Sequence, residues 1–149
     1  MPPSPASGLR SPLRHRKAFD VTSRRSAAIA VAFAVLAAVI IHDALATTRF
    51  HHHRSLATLL FAGLLATALL TLAPRIRSSG VVLGAGIAAG GALATFVSGL
   101  AWGGVPDPLV RGGIAFNLAD VAIAFGDGLL IVAALLYAWT NRARLREPV

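Results

Sequence analysis

The 149-residue sequence has no cysteine and few charged residues, which make up only 13% of the chain. The absence of cysteine excludes disulfides, thiol nucleophiles, acylated cysteines and cysteine-based metal sites. Soluble domains carry about 25% charged residues, and here 56% of the residues are hydrophobic instead. The sequence therefore predicts a membrane protein.

The basic residues are concentrated at the two ends and in short loops, and they give the chain a net charge of +8. Nucleic-acid binding would need basic residues clustered on one folded face. Basic residues that flank apolar segments instead orient a membrane protein. We interpret the charge as topology and expect no nucleic-acid partner.

Four apolar segments cover residues of about 26–46, 55–73, 80–101 and 114–139. Each is close to the roughly 20 residues that cross a bilayer as a helix, and backbone polar groups in lipid are satisfied only in helices or closed barrels. The first segment is too long for a cleaved signal peptide and is followed by three more. The sequence predicts an all-α integral membrane protein, a four-transmembrane-helix bundle over residues 26–141.

The two flanking segments are basic. Residues 1–25 are rich in proline, serine and arginine and are predicted to be a disordered tail, and residues 142–149 form a second basic tail. Eleven basic residues lie in these tails and in the second loop, against three in the first and third loops. The excess places both termini in the cytoplasm and the first and third loops outside.

This topology places three acidic residues near the outer membrane surface: Asp43 late in the first helix, Asp107 in the third loop and Asp120 about two turns into the fourth helix. Asn117 precedes Asp120 by three residues, so the two share a helix face and the amide can donate to the carboxylate. Two close carboxylates in a partly dry site share a proton. One can activate water while the other protonates a leaving group, although paired acids equally suit proton or cation movement.

The run FNLAD at residues 116–120, followed by VAIAFGDGLL, resembles the last motif of the signal peptidase II family, the lipoprotein signal peptidases. In that family an F-N-x-A-D-S-x-I run opens the fourth transmembrane helix. The resemblance implies that Asp120 is one half of a catalytic dyad beside Asn117. GGVPDPL then supplies Asp107 as the other half, and IIHDALATTRF, similar to a D-Q-x-x-K motif, implies a supporting role for Asp43.

The third apolar segment departs from the family pattern. GGAL at residues 90–93 resembles the start of a G-G-A-x-G-N-x-x-D-R motif, but Thr95, Ser98 and Gly99 occupy its Asn, Asp and Arg positions. Only about eight residues separate the first two apolar segments. The N-x-G-x-A-F segment with which family members cover the substrate therefore has no counterpart.

The resemblance implies an aspartic endopeptidase of the bacterial inner membrane that removes signal peptides from diacylglyceryl-modified prolipoproteins, with its active site facing outward. Its partners would be the lipid-modified signal peptide and membrane lipid, and we expect a monomer. Water is the nucleophile, so the reaction needs no metal or organic cofactor.

Two other interpretations stay open. A catalytically inactive homologue that acts as a membrane interaction or scaffold protein would explain the changed third-helix motif. A proton- or ion-coupled membrane protein would use Asp43, Asp120 and Asp127 as relay sites. Asp127 lies seven residues beyond Asp120, on the same helix face and about 10 Å deeper, and the family pattern gives it no role.

Two further patterns have structural interpretations. The histidine run 51–53 lacks a spaced third set of ligands for a metal, and we expect it to lie in a solvated outer loop. Gly86 and Gly90 have the four-residue spacing that lets transmembrane helices approach closely. We expect them to pack inside the bundle rather than at a dimer interface.

Overall fold

A computed structural model describes residues 12–46, 51–106, 109–111 and 114–142 of the chain. Its helices are α1 (Pro12–Leu45), α2 (Leu56–Leu72), α3 (Ser79–Trp102) and α4 (Leu118–Thr140), with a short 3₁₀ turn at Ala73–Arg75. Four helical stretches are long and apolar enough to cross a membrane, and the second combines α2 with the 3₁₀ turn: Asp20–Leu45, Leu56–Arg75, Ser79–Trp102 and Leu118–Thr140. The prediction of four such helices is confirmed.

Helix α3 lies at the centre and packs against each of the other three helices. Gly86 and Gly90 lie beside Ala28 and Ala32, so α1 runs parallel to α3. Helices α2 and α4 run antiparallel to α3. The contacts of α2 show this, because Leu59 at its start meets Gly99 near the end of α3.

The antiparallel course of α4 follows from its contacts with α3, where Ala119 lies beside Gly91 and Leu130 beside Gly84. The last turns of α1 and α3 and the first turns of α2 and α4 therefore share one end of the bundle. We name it the acidic end, after Asp43 and Asp120, and the opposite end, with Arg24 and Arg77, the arginine end.

Glycines bring the helix backbones into contact. A Cβ atom added at Gly90 would lie 2.7 Å from the Ala32 carbonyl oxygen of α1, and one at Gly126 would lie 2.4 Å from the Ala88 nitrogen of α3. Side-chain atoms do not fit at these distances. The expectation that Gly86 and Gly90 pack inside the bundle is confirmed, because both face α1.

Two pairs of short antiparallel strands lie in the connections at the acidic end. β1 (His51–His52) pairs with β2 (Val105–Pro106), and β3 (Leu109–Arg111) pairs with β4 (Ile114–Phe116). The Nδ1 atom of His53 lies 2.7 Å from the Gly103 carbonyl oxygen. His53 is exposed, as expected for a solvated loop, and this contact ties the histidine run to the connection that follows α3.

Two predicted boundaries are wrong. Helix α1 begins at Pro12 rather than near residue 26, so residues 12–25 are helical and not disordered. Proline is accepted in the first turn of a helix, and no glycine or proline interrupts the sequence from residue 13 to residue 62. Helix α4 begins at Leu118 rather than 114, because Ile114–Phe116 form β4. The tail residues 1–11 and 143–149 lie outside the described residues.

Valine at position 90 should destabilise the bundle, because its side chain would overlap the α1 backbone. Overpacking of this kind costs about 1–3 kcal/mol or more. Gly128→Val is the matched control, since a Cβ atom at Gly128 meets nothing within 4 Å. In detergent, the thermal unfolding temperature should fall clearly for Gly90→Val and stay unchanged for Gly128→Val. Equal losses would contradict the packing described for α1 and α3.

Candidate functional site

Asp120 and Asn117 form a capping box at the start of α4. The Asn117 side-chain oxygen accepts a hydrogen bond from the Asp120 backbone N–H at 2.9 Å, and the Asp120 carboxylate accepts one from the Asn117 backbone N–H at 3.3 Å. Asn117 is fully buried. This reciprocal arrangement satisfies N–H groups at the helix start and holds the Asp120 carboxylate at the acidic end.

The capping box changes two sequence-based expectations. Asp120 is the third residue of α4 and lies in its first turn, not two turns into the helix. Asn117 is the residue immediately before the helix. Its side chain contacts the Asp120 backbone, and the Asp120 side chain contacts the Asn117 backbone. The predicted neighbours are therefore adjacent, with a different hydrogen-bonding pattern from the one expected.

Arg54 is a site residue that the sequence did not reveal. Its Nη2 atom lies 3.5 Å from Asp120 Oδ1, and both side chains are about one-third exposed, at 29% and 34%. The Nε atom of Arg54 is buried and has no hydrogen-bond partner among the described residues. Arg54 immediately precedes Ser55, the residue that caps α2, so the start of α2 supplies a cation to the start of α4.

Asp43 is buried between α1 and α3. Its side chain has no exposed surface. Ser98 Oγ donates a hydrogen bond to Asp43 Oδ2 at 3.0 Å, and His42 Nδ1 lies 3.4 Å from Asp43 Oδ1. A buried carboxylate is costly unless polar groups satisfy it, and Ser98 and His42 supply those groups here.

The other two residues at the altered motif have separate contacts. Thr95 is buried and its hydroxyl donates to the Gly91 carbonyl oxygen of its own helix at 3.2 Å. Gly99 lies against Leu59 of α2. Of the three substituted positions, Ser98 is the one that contacts a predicted site residue.

The structure brings Asp43 and Asp120 to the same end of the bundle. Val39 of α1, Ala94 of α3 and Ala119 of α4 pack together next to them. The fourth predicted residue, Asp107, lies outside the described residues. The described part of the site therefore consists of one buried carboxylate, at Asp43, and one partly exposed carboxylate with an arginine beside it, at Asp120.

Asp127 lies farther along α4 and is partly buried. It has no hydrogen bond or ion pair within the described part of the chain. Ala134, seven residues later, lines a cavity of about 230 Å³ together with Leu69 and Leu72 of α2. Asp120, seven residues earlier, meets Arg54 at the start of α2. Because a seven-residue step returns to nearly the same helix face, Asp127 lies on the side of α4 that faces α2.

No family model, curated protein or solved structure matches the chain. The likeness to signal peptidase II therefore depends on the short motifs quoted above and on the residues that they align.

Replacing Ser98 by alanine should destabilise the acidic end, because it removes a donor from a buried carboxylate. An unsatisfied buried group of this kind costs about 1–3 kcal/mol. Thr95→Val is the control, since the Thr95 hydroxyl bonds only to its own helix. Unfolding of Ser98→Ala, Asp43→Asn and the double variant should show that the two changes are coupled. Strictly additive effects would contradict the hydrogen bond.

Proposed function

We propose that this protein is a membrane aspartic endopeptidase of the signal peptidase II type, which removes signal peptides from diacylglyceryl-modified prolipoproteins. One observation carries the proposal. The Asp120 carboxylate is held at the end of an apolar helix bundle, partly exposed and fixed by Asn117 and Arg54. A carboxylate in that position is accessible to a peptide at a membrane surface, and it belongs to the FNLAD motif.

In the proposed reaction Asp120 and Asp107 hold a water molecule between them and share one proton. One carboxylate removes a proton from the water while the water oxygen attacks the scissile carbonyl carbon. The other acid gives its proton to the carbonyl oxygen, which forms a gem-diol. The carboxyl that took the water proton then protonates the departing amine, and the peptide bond breaks as the gem-diol returns a proton to the other carboxylate. The two side chains supply every proton transfer, and water supplies the nucleophile.

Neighbouring residues keep this carboxylate in place. Asn117 fixes Asp120 through the capping box, and Arg54 restrains its second oxygen. Asp43 stabilises the acidic end by linking α1 to α3 through its hydrogen bond with Ser98.

The proposed setting is the bacterial inner membrane, with both termini in the cytoplasm and the acidic end facing outward. The distribution of arginines supports this orientation. A diacylglyceryl group would then remain among the lipids while the adjoining peptide bond reaches Asp120. We propose a monomer, since the close glycine contacts of α3 are used within the bundle.

A specific observation also favours a second candidate, a non-catalytic homologue that acts as a membrane interaction or scaffold protein. Both Asp120 oxygens already have partners within the fold, because one accepts a hydrogen bond from the Asn117 N–H and the other forms an ion pair with Arg54. A capping and ion-pairing role would therefore account for this carboxylate without catalysis. The third candidate, a proton- or ion-coupled protein, is supported by Asp127, which is unpaired within the described residues.

The Asp120→Asn variant separates catalysis from capping, because an asparagine oxygen can still accept the Asn117 N–H. Purified protein in detergent should cleave a diacylglyceryl-modified prolipoprotein, and Asp120→Asn should reduce cleavage by a factor of about 10²–10⁴, the usual contribution of acid–base catalysis. Asp107→Asn should have the same effect. Gel shift of the substrate measures cleavage, and thermal unfolding shows that the variants are folded.

Asp127→Asn is the matched control and should cleave at the wild-type rate. Absence of cleavage by folded wild-type protein, across several lipoprotein substrates, would reject the peptidase and favour the scaffold. Proton flux in liposomes that disappears in Asp127→Asn, with no cleavage, would instead establish the coupled transporter.

A further inference from the structure

A cavity of about 380 Å³ lies at the arginine end, between residues 20–31 of α1 and the start of α3. One side of it is polar and the other is apolar. Its polar lining is Asp20, Arg24, Arg77, Ser78 and Ser79, and its apolar lining is Ala27, Val31, Val82 and Leu83.

The charges around the cavity leave an excess of positive charge. Arg24 Nη2 lies 3.0 Å from Asp20 Oδ2, so the one acidic group is paired. Arg24 also donates to the Ile76 carbonyl oxygen at 3.0 Å, which fixes its position. Arg77 is exposed and has no hydrogen bond or ion pair with any described residue. One arginine is therefore available to an anion.

The first turn of α3 adds backbone donors on the same side. Ser78 caps the helix by accepting from the Val81 N–H at 3.4 Å, and the Val82 N–H bonds to the Ser78 carbonyl oxygen. Ser79 and Gly80 are the first two residues of α3. Their backbone N–H groups therefore have no carbonyl acceptor within the helix. The start of a helix favours a negatively charged group. Arg77 lies immediately before Ser78, so its positive charge is next to the start of α3.

The apolar side distinguishes this cavity from a site for a free anion. Val31 and Leu83 belong to the stretches of α1 and α3 that are apolar enough to cross a membrane, and Leu83 is 44% exposed. The groove between α1 and α3 therefore continues from the charged residues at the arginine end to an apolar surface. This combination of an anion site and an adjoining apolar groove matches a phospholipid.

We propose that this cavity binds the phosphate headgroup of an anionic phospholipid, with Arg77 and the start of α3 on the phosphate and an acyl chain along Ala27, Val31 and Leu83. The proposal does not depend on peptidase activity. It assigns to the arginine end a specific lipid site in addition to its effect on topology.

The first experiment tests the charge. Native mass spectrometry of the detergent-purified protein should detect one phosphatidylglycerol retained in preference to phosphatidylcholine with identical acyl chains. Arg77→Gln should weaken this binding roughly fivefold, as expected for one arginine at an anionic lipid. Arg75→Gln is the control, since Arg75 is exposed and does not line the cavity. Equal binding of the two lipids, or equal effects of the two variants, would overturn the proposal.

The second experiment tests the acyl chain. Ala27→Phe would fill the apolar side of the cavity, whereas Ala30→Phe places the same ring on an exposed position of α1 outside it. Phosphatidylglycerol binding should fall in Ala27→Phe and remain in Ala30→Phe. If inorganic phosphate displaces the lipid completely and Ala27→Phe has no effect, the site binds phosphate rather than phospholipid and the proposal fails.

Discussion

The close approach of α3 to its neighbours is the constraint on which the rest of the structure depends. Apolar side chains gain little by leaving lipid for a helix interface, so helix association in a membrane relies on close packing and on polar contacts. Glycine and alanine on α3 provide that packing on every side. Gly90 admits the α1 backbone and Gly91 admits the first turn of α4. These two contacts fix the distance at which Asp43 meets Ser98 and the depth at which Asp120 is held.

The two described carboxylates at the acidic end have different environments as a result. Asp43 follows the α1 segment that is pressed against α3, and it is buried with a serine hydroxyl and a histidine as partners. Asp120 lies where α4 begins and remains partly exposed, with Arg54 beside it. A buried acid with local donors is suited to joining helices. The accessible acid with fixed orientation is the feature on which the proposed reaction rests.

The sequence predicted the elements that depend on local composition and missed those that depend on distant pairing. Apolar segments of membrane-spanning length predicted four helices, and small-residue spacing placed Gly86 and Gly90 inside the bundle. The pairing of Arg54 with Asp120 joins residues 66 positions apart, and β1 pairs with β2 across a similar separation. No periodicity indicates such contacts. The capping box was detectable, because Asn117 followed by an acidic residue at the third position fits the pattern of a helix start.

The packing of α4 also determines the surroundings of Asp127. Gly126 must face Ala88, since no side chain fits there, and this contact fixes the rotation of α4 about its axis. Asp127 is thereby directed toward α2, while α2 and α4 each pack mainly on α3. A carboxyl group in lipid is costly unless it is protonated, paired or hydrated, and the described chain offers it no partner.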